Sequence, residues 1–306
     1  MENNEKLTPK RAYGFVDEKG NWVIAPQFDF AEDFEDGIAR VQMDNKYGLV
    51  KIDGSWLVDP LYDEIQGFHD GVALVESNNK YGYIKEDGSC LVEPKFDDAD
   101  DFENGIAIVK FDDKYGVLKQ DGKYLFEPQF DNITDFRNNL AITEKDEKYG
   151  LINSHGEILF EPQFNEISSL REGRKQVVKG DKKGILTSEG KYLFEPIFDQ
   201  INSDFYEGYT VVRINDKRGV IKSDGTYLFE PVYDGAFIDV NEVVINLTKD
   251  SKNGFFIIKT SHFIEPQYDS AESFKNGYAS VELNGEKGYI DKQGKWFDKK
   301  KAVKRQ

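Results

Sequence analysis

Glycine recurs along the chain at intervals of 34 or 35 residues, and this period limits the possible folds more than any other sequence feature. These reference glycines are Gly14, Gly48, Gly82, Gly116, Gly150, Gly184, Gly219, Gly254 and Gly288. Prolines keep the same register, at Pro26, Pro60, Pro94, Pro128, Pro162, Pro196, Pro231 and Pro266. Because two residue types agree over the whole chain, the sequence predicts eight full repeats and a ninth that stops after residues 288–297.

Each repeat opens with two short apolar runs that meet across a turn, which is often Asp-Gly, as at Asp87-Gly88. Glycine accepts the positive φ that a tight hairpin turn requires, so this pattern predicts a β-hairpin at the start of each repeat. A third apolar run, such as residues 72–76, predicts a third strand that leads into the next repeat.

A proline and an aromatic residue end the second strand, because proline cannot donate a hydrogen bond to a sheet. The aspartate that follows has the spacing of a helix capping box in three repeats. The pairs are Asp29 with Glu32, Asp63 with Gln66 and Asp269 with Glu272. The sequence therefore predicts a short capped helical turn at this point, ended by a glycine such as Gly37 with positive φ.

Three strands per repeat have a topological consequence, since an odd number in a flat meander would reverse every second repeat. Equivalent repeats keep one orientation only if the chain turns a corner inside each of them, and the Pro-x-Phe-Asp segment is the natural place. We therefore expect an all-β fold, an open superhelical, solenoid-like array of about eight 34-residue three-stranded repeats plus a closing hairpin. A closed propeller-like ring is the alternative, although 34 residues are short for a four-stranded blade.

The repeats account for nearly the whole chain. We expect a polar N-terminal segment over residues 1–12, a single repeat domain over 13–297 and a basic C-terminal tail over 298–306. The repeats start near residues 13, 47, 81, 115, 149, 183, 218, 253 and 287.

Aromatic residues make up 14% of the chain, and most of them fall at fixed repeat positions. All three tryptophans, Trp22, Trp56 and Trp296, lie eight residues after a reference glycine. Cys90 occupies the same position, so we expect it to pack rather than to act as a reactive thiol. A ring always stands two residues after the repeat proline, and such an uninterrupted series predicts a core. These rings are Phe28, Tyr62, Phe96, Phe130, Phe164, Phe198, Tyr233 and Tyr268.

The residue before the reference glycine changes character halfway along the chain. It is tyrosine in the first five repeats and polar in the last four. The tyrosines are Tyr13, Tyr47, Tyr81, Tyr115 and Tyr149, and the polar residues are Lys183, Arg218, Asn253 and Lys287. A position that accepts lysine and arginine is expected to be at least partly exposed. Two interpretations stay open: the tyrosines pack between repeats with their hydroxyls in water, or they form a recognition stripe for a partner.

Charge and cysteine content narrow the classes of function. The chain has 57 acidic and 40 basic residues, and its net charge of −17 argues against binding to nucleic-acid phosphates or to an anionic membrane. No run approaches the ~18 apolar residues that cross a bilayer, and the N-terminus has no secretory pattern. The single cysteine, Cys90, cannot form an internal disulfide. We expect a cytoplasmic protein with no nucleic-acid partner and no membrane insertion.

Patterns for catalysis and cofactors are weak. His69, His155 and His262 lie at three different repeat positions, unlike the ligands of a zinc site or the members of a catalytic triad. The acidic segments 29–36 and 97–103 could offer oxygen ligands to calcium, but they lack the alternating aspartates of a calcium loop. Helix capping and solubility explain them better. We predict no enzyme, no catalytic residue, no cofactor and no metal site.

The combined motif resembles the WG-repeat family, also called KWG repeats. The resemblance rests on the aromatic-Gly pair, the Asp-Gly turn, the aromatic-Leu/Val-x-Glu-Pro-x-Phe/Tyr-Asp segment and the Gly-x-Ala-x-Val strand, over about residues 13–297. The tryptophan that names the family is tyrosine in five repeats and polar in four, and residues 234–252 depart further. The resemblance implies an all-β bacterial repeat array that mediates interactions and has no shared reaction.

We therefore expect a non-catalytic repeat scaffold that binds a protein partner through an extended face. The candidate partner-binding residues are Tyr13, Tyr47, Tyr81, Tyr115 and Tyr149. With the nearby acidic loops, these residues suit an unidentified protein partner of basic or apolar character. The alternative is a glycan-binding module, in which the same tyrosines stack on sugar rings.

Overall fold

The computed structural model describes residues 12–202 and 204–298. The chain divides into two compact units, an N-terminal unit of residues 1–162 and a C-terminal unit of residues 163–306. The repeats continue through this division, and the expected single domain over 13–297 stays a prediction. The predicted polar segment 1–12 and basic tail 298–306 lie outside the described residues, apart from Ala12 and Asp298.

The N-terminal unit is built from β-strands. They are β1 (Tyr13–Val16), β2 (Trp22–Phe28), β3 (Phe30–Ala31), β4 (Ile38–Met43), β5 (Lys46–Lys51), β6 (Trp56–Tyr62), β7 (Glu64–His69), β8 (Val72–Ser77), β9 (Lys80–Lys85), β10 (Cys90–Phe96), β11 (Asp98–Ala99), β12 (Ile106–Phe111), β13 (Lys114–Lys119), β14 (Tyr124–Phe130), β15 (Asn132–Ile133), β16 (Leu140–Lys145), β17 (Lys148–Asn153) and β18 (Ile158–Phe164). The last two residues of β18 fall past the division between the units.

The C-terminal unit repeats the same plan. Its strands are β19 (Glu166–Ser169), β20 (Lys175–Lys179), β21 (Lys182–Leu186), β22 (Tyr192–Phe198), β23 (Gln200–Ile201), β24 (Tyr209–Ile214), β25 (Lys217–Lys222), β26 (Tyr227–Tyr233), β27 (Gly235–Asp239), β28 (Val244–Lys249), β29 (Lys252–Ile257), β30 (His262–Tyr268), β31 (Ser270–Ala271), β32 (Tyr278–Leu283), β33 (Glu286–Asp291) and β34 (Trp296–Asp298). Two short 3-10 segments, Arg171–Gly173 and Ile258–Thr260, are the helical elements of the described chain, and no helix in this part is long and apolar enough to span a membrane.

Every sheet is an antiparallel meander in chain order. Among the described residues, β1 and β2 form a two-stranded sheet, and the remaining strands form eight four-stranded sheets, such as β3-β4-β5-β6. None of these sheets closes into a barrel, so the predicted all-β repeat array is confirmed. The predicted corner is also found, because β2 ends one sheet at Phe28 and β3 begins the next at Phe30.

The strand count differs from the expected three by one, because the predicted capped helical turn is a short strand. Phe30 and Ala31, for example, pair with Gln42 and Val41 of β4. The aspartate after the ring makes a different bond from the one predicted. Oδ2 of Asp63 accepts the backbone N–H of Asn78, 15 residues later in the turn between β8 and β9. The carboxylate is therefore used across the sheet corner and not within a helical turn.

These aspartates also bind a lysine 17 residues earlier, and we call each such arrangement a corner staple. The lysine starts the third strand of one sheet, and the aspartate lies where the chain enters the next sheet. The described staples are Lys46–Asp63, Lys80–Asp97, Lys114–Asp131, Lys182–Asp199, Lys217–Asp234 and Lys252–Asp269. In each aspartate the lysine hydrogen bond lowers the pKa of the carboxyl.

The reference glycines are needed because the strand opposite them is bulged around the proline. In the hairpin of β9 and β10, the register shifts on either side of Val92. A Cβ atom on Gly82 would lie 2.6 Å from both the nitrogen of Pro94 and the carbonyl oxygen of Val92. No side chain fits there, so these glycines serve close packing of two strands.

Apolar side chains fill the space between consecutive sheets of each unit. The ring two residues after the proline lies in this core, as at Phe28, Phe96 and Phe198, which are almost fully buried. The ring on the following loop also reaches it, since Phe102 and Phe274 are buried in the same kind of cluster. The predicted aromatic core is therefore confirmed.

Candidate functional site

The five candidate tyrosines occupy equivalent positions in β1, β5, β9, β13 and β17. Tyr47, Tyr81 and Tyr115 each stand opposite the ring that follows the repeat proline, as Tyr81 does opposite Phe96. Tyr13 is 43% exposed, whereas the other four tyrosines are half-buried. The side chains of Tyr47, Tyr81 and Tyr115 pack against the core clusters.

Cations lie over two of these rings. The guanidinium carbon of Arg40 is 5.2 Å from the ring centre of Tyr47, and Nζ of Lys110 is 5.6 Å from that of Tyr115. A ring face that already carries a cation is less free to stack on a sugar. These contacts favour packing for Tyr47 and Tyr115, while a partner-binding role for the five tyrosines stays a prediction.

A second feature of the N-terminal unit is a series of polar segments that lead into the second strand of each four-stranded sheet, and segments 32–37 and 100–105 carry most of their carboxylates. We call them the acidic loop face, and they comprise residues 32–37, 66–71, 100–105 and 134–139. Consecutive segments touch, because the N–H of Gly105 donates to Oδ2 of Asp70 over 3.0 Å. Nε2 of His69 lies 3.7 Å from Oδ2 of Asp101. Sequence positions 34 residues apart are thus neighbours in space.

Two grooves open on the acidic loop face. The larger has a volume of about 1070 Å³, with carboxylates on its rim and apolar side chains below them. It is lined by Glu32, Asp33, Glu35, Asp36, Ile38, Arg40, Leu49, Ile65, Gln66, Gly67, Phe68 and Glu86. The smaller has a volume of about 540 Å³ and is lined by Asp100, Asp101, Glu103, Asn104, Ile106, Ala107, Ile108, Asp135, Phe136, Arg137, Asn138, Asn139 and Ser154.

Arg40 is the main positive charge in the larger groove. Its guanidinium donates two hydrogen bonds to Glu32, at 2.6 and 3.1 Å, and others to Glu64 and to the carbonyl of Ile65. Glu32 belongs to the β3–β4 segment and Glu64 to β7 of the next sheet. Arg40 therefore joins two sheets as well as covering Tyr47.

The smaller groove contains a carboxyl group whose pKa is raised. Asp100 is in contact with solvent, but burial on its inner side and the charges of nearby acids, Asp98 and Asp135 among them, raise the pKa of its carboxyl. Beneath it, the hydroxyl of Tyr83 donates to the carbonyl of Asp100 over 2.6 Å. Tyr83 is fully buried, so this bond fixes the acidic segment to the core.

The two units differ sharply in charge. Residues 1–162 contain 35 acidic and 17 basic residues, a net charge of −18, whereas residues 163–306 contain 22 acidic and 23 basic residues, a net charge of +1. The acidity of the chain is therefore confined to the unit that carries the tyrosines and the two grooves. A surface of this kind attracts cationic partners at a distance.

Sites for metal and covalent chemistry have few candidates. Within the described ranges, no three His, Cys, Asp or Glu side chains are arranged to hold a metal ion.

Cys90 is exposed, so the packing role predicted for it is wrong: a thiol is smaller than the ring found at this position in Tyr124, which contacts Phe96. Partial burial around its sulfur and the charge of Glu93 raise the pKa of the Cys90 thiol to about 11, which keeps it protonated at neutral pH.

Arg40 and Tyr83 are the site residues that the sequence analysis missed. Both differ in residue type from most residues at the same position of the other repeats, and the sequence alone shows this difference. Arg40 stands where later repeats have Leu74, Ile108 or Val211, and Tyr83 stands where most repeats have an aliphatic residue. A polar group at an apolar repeat position marks a place where one repeat has a special contact.

A family model described as "WG containing repeat" matches residues 13–47, 47–81, 81–115, 115–149, 149–182, 184–217 and 263–286. The chain belongs to the WG-repeat family. The unmatched stretch between residues 217 and 263 includes the repeats in which the sequence departs from the motif. No curated protein matches this WG-repeat chain.

Solved structures resemble the WG-repeat chain only distantly. A eukaryotic initiation factor is 9% identical with a TM-score of 0.30, over 94% of this chain and 93% of its own. Hsv2p of Kluyveromyces lactis is 9% identical with a TM-score of 0.28, over 71% of this chain and 92% of its own. PorZ of Porphyromonas gingivalis, a surface component of the type-IX secretion system, is 10% identical with a TM-score of 0.27, over 90% of this chain and 45% of its own. Similarity at this level carries no argument about function.

Proposed function

We propose that this WG-repeat chain is a non-catalytic scaffold that binds a protein partner, and that the acidic loop face receives an extended, lysine- and arginine-rich segment of that partner. The observation that carries the proposal is the coincidence of two grooves with the unit whose net charge is −18. Opposite charge brings such a segment to the surface and selects it over neutral or acidic ones.

The chemistry of the larger groove suits long basic side chains. Ile38 and Phe68 offer apolar surface. The exposed Asp33 and Glu35 add carboxylates to the same groove. Lysine and arginine have apolar stems and charged ends, so one side chain can use both parts of the groove. The groove volume of about 1070 Å³ leaves room for several side chains.

The five tyrosines form a second proposed contact surface for the same partner, near the larger groove at Tyr47, whose ring lies under Arg40. Tyr13 is the most exposed of the five, and Tyr81 and Tyr149 belong to strands of the same unit. Tyrosine gives a large contact area with little loss of conformational entropy, and it is common at binding hot spots. We therefore retain the five tyrosines as proposed contacts of the same partner.

Peptide titration tests the proposal directly. A labelled peptide that alternates arginine or lysine with leucine is compared with a glutamate version of the same length, by fluorescence anisotropy at low and high salt. We expect binding of the basic peptide alone, weakened by salt because the charges on the rim are exposed. Equal binding of both peptides would contradict the proposal.

A matched pair of variants locates the binding face. The first carries Asp33→Asn, Glu35→Gln and Asp135→Asn, all exposed positions on the acidic loop face. The control removes the same number of charges from the C-terminal unit, with Glu207→Gln, Asp216→Asn and Glu272→Gln, also exposed. We expect about tenfold weaker binding for the first variant and no change for the control. Equal losses would show that net charge alone, and not this face, attracts the peptide.

A further inference from the structure

The two grooves of the acidic loop face are the same site in two different repeats. Most residues that line the larger groove have a counterpart, two repeats later, that lines the smaller one. Examples are Glu32 with Asp100, Asp33 with Asp101, Glu35 with Glu103, Ile38 with Ile106, Arg40 with Ile108 and Phe68 with Phe136. A contact found in one groove therefore indicates what the other groove can bind.

The larger groove contains a guanidinium group that is bound by oxygen atoms. Nε and Nη2 of Arg40 donate to the two carboxylate oxygens of Glu32, over 3.1 and 2.6 Å. Nη1 of Arg40 donates to the carboxylate of Glu64 and to the carbonyl of Ile65. Two parallel bonds to one carboxylate are the strongest form of arginine recognition. The larger groove is thus an arginine site whose arginine belongs to the same chain.

The smaller groove has acceptors at these positions but no arginine on the equivalent strand. The exchanges from the larger to the smaller groove are Arg40 to Ile108, Glu32 to Asp100, Glu64 to Asn132 and Gly67 to Asp135. The carboxylate lost at Asn132 is offset by the one gained at Asp135. The smaller groove therefore has the same number of acids at these positions as the larger groove and has lost the cation that binds them.

The acids of the smaller groove carry signs of this missing cation. Burial and the charges of neighbouring acids raise the pKa of the Asp100 carboxyl. Oδ1 of Asp101 is buried and has no hydrogen-bond partner among the described residues, although Oδ2 lies 3.7 Å from Nε2 of His69. Arg137 also lines the groove, but its side chain is exposed and forms no ion pair with another described residue. A buried acceptor without a donor marks a place for a ligand.

The segment that carries these acids is held in place by the rest of the unit. The hydroxyl of the fully buried Tyr83 donates to the carbonyl of Asp100 over 2.6 Å. At the end of the same segment, the N–H of Gly105 donates to Oδ2 of Asp70 over 3.0 Å. The acceptors are therefore positioned before a ligand arrives, which lowers the entropy lost on binding.

We infer that the smaller groove binds an arginine side chain of the partner, in the place that Arg40 occupies in the larger groove. The guanidinium donates to the carboxylates of Asp100 and Asp135, and the apolar stem packs on Ile108 and Phe136. Lysine lacks the planar fork of donors, so the groove prefers arginine. This inference rests on the proposed binding of a basic segment and adds which residue type is recognised and where.

Two labelled peptides of equal length test the preference. In one, arginine alternates with leucine, and in the other, lysine alternates with leucine. Fluorescence anisotropy at one low salt concentration measures both affinities. We expect the arginine peptide to bind roughly tenfold more tightly, the effect of one additional charge-assisted hydrogen bond. Equal affinities would overturn the inference and leave the proposed function intact, whereas binding of neither peptide would overturn both.

A matched pair of variants locates the arginine site. Ile108→Arg supplies the smaller groove with a guanidinium from its own chain, as Arg40 does in the larger groove. We expect the affinity for the arginine peptide to fall to that for the lysine peptide. Ile142→Arg is the control, because Ile142 is a half-buried residue at the same strand position of the next repeat and lines neither groove. The control should keep the preference for arginine. Loss of the preference in both variants, or in neither, would overturn the inference.

A second pair covers the case in which circular dichroism shows that Ile108→Arg does not fold. Asp100→Asn removes one acceptor charge without changing the size of the side chain, and we expect it to abolish the preference for arginine. Asp98→Asn is its control, since Asp98 is an exposed aspartate nearby that does not line the groove. A preference for arginine that persists in Asp100→Asn would overturn the inference.

Discussion

The N-terminal and C-terminal units share a backbone plan but not a surface. Both use four-stranded antiparallel meanders, a glycine opposite a proline bulge and corner staples such as Lys46–Asp63 and Lys217–Asp234. Their surfaces diverge, with a net charge of −18 in residues 1–162 and +1 in residues 163–306. The positions that fix the fold face the neighbouring sheet, so the outward positions are free to serve binding.

The same comparison holds at single positions. The residue before the reference glycine is Tyr81 in one unit and Lys183 in the other, and both stand opposite a ring, Phe96 and Phe198. The strand pairing is unchanged by the exchange. What differs is the chemistry offered at the edge of the core.

Substitution of a reference glycine is expected to have the largest effect, and the effect should be alike in both units. Gly82→Ala and Gly184→Ala each place a methyl group within 2.8 Å of backbone atoms of the opposite strand. We expect each to lower the free energy of unfolding by about 3 kcal/mol, measured by guanidinium denaturation. Gly37→Ala is the control, because its Cβ meets no atom within 4 Å and only the positive φ resists the change, at about 1 kcal/mol. A much smaller loss of stability for Gly184→Ala would contradict a backbone plan that is the same in both units.

Substitution of Arg40 should show a difference in stability between the two units, because Arg40 binds carboxylates of the larger groove. Its side chain is 27% exposed, and Arg40→Met leaves Glu32 and Glu64 without their cation. We expect a loss of about 1.5 kcal/mol in the free energy of unfolding, larger at low salt. The comparison is Arg213→Met, whose partner Asp216 is almost fully exposed at 3.6 Å. A loss at Arg213 as large as that at Arg40 would contradict a special role for the groove arginine.

The pH dependence of two aspartates should have opposite signs. The raised pKa of Asp100 penalises its charged form in the folded state, so Asp100→Asn should stabilise the protein at neutral pH by less than about 1 kcal/mol. The pKa of Asp199 is lowered by Lys182, so its stabilising effect is present above the unfolded pKa and is lost as the pH falls through the folded value.

Thermal melts from neutral to acidic pH measure this difference. Asp199→Asn should destabilise the chain at neutral pH, and both substitutions should lose their effect once the carboxyls are protonated. Destabilisation by Asp100→Asn at neutral pH would show that its charge is needed for the fold of the smaller groove.

The smallest expected effect comes from exchanging the residue that distinguishes the two units. Tyr81→Lys should cost about 0.5 kcal/mol, because the lysine stem covers part of the surface that the half-buried ring protects. Lys183→Tyr should leave the unfolding midpoint nearly unchanged. If Tyr81→Lys collapses the fold, the tyrosines of the N-terminal unit are core residues and not contacts for a partner.

The sequence contained enough information for the repeat plan. The glycine and proline registers located the hairpins, and the Pro-x-Phe-Asp segment located the corner, because each of these residues restricts the backbone by itself. The series of rings from Phe28 to Tyr268, which are buried except for the half-buried Tyr62, followed from the absence of any polar exception. These are local restrictions, which one sequence can reveal.

The fourth strand and the acidic grooves could not be predicted from the sequence and were found only in the structure. A two-residue strand such as Phe30–Ala31 has no periodicity, and the spacing of Asp63 and Gln66 equally fits a capping box. The true partners of Asp63 are Lys46 and Asn78, which depend on how strands pair. Likewise, Arg40 reaches Glu64 only because consecutive sheets lie side by side.

The corner staple has a consequence for how such a chain changes over generations. Lys46 and Asp63 are 17 residues apart, and the turn amide of Asn78 follows 15 residues later, so one 34-residue segment carries all three groups. A gene duplication of that length adds a complete set of lysine, aspartate and turn amide. The new repeat therefore needs no matching mutation elsewhere. Deletion of one segment likewise leaves its neighbours with intact staples. The number of repeats can therefore vary between descendants while each repeat stays the same size.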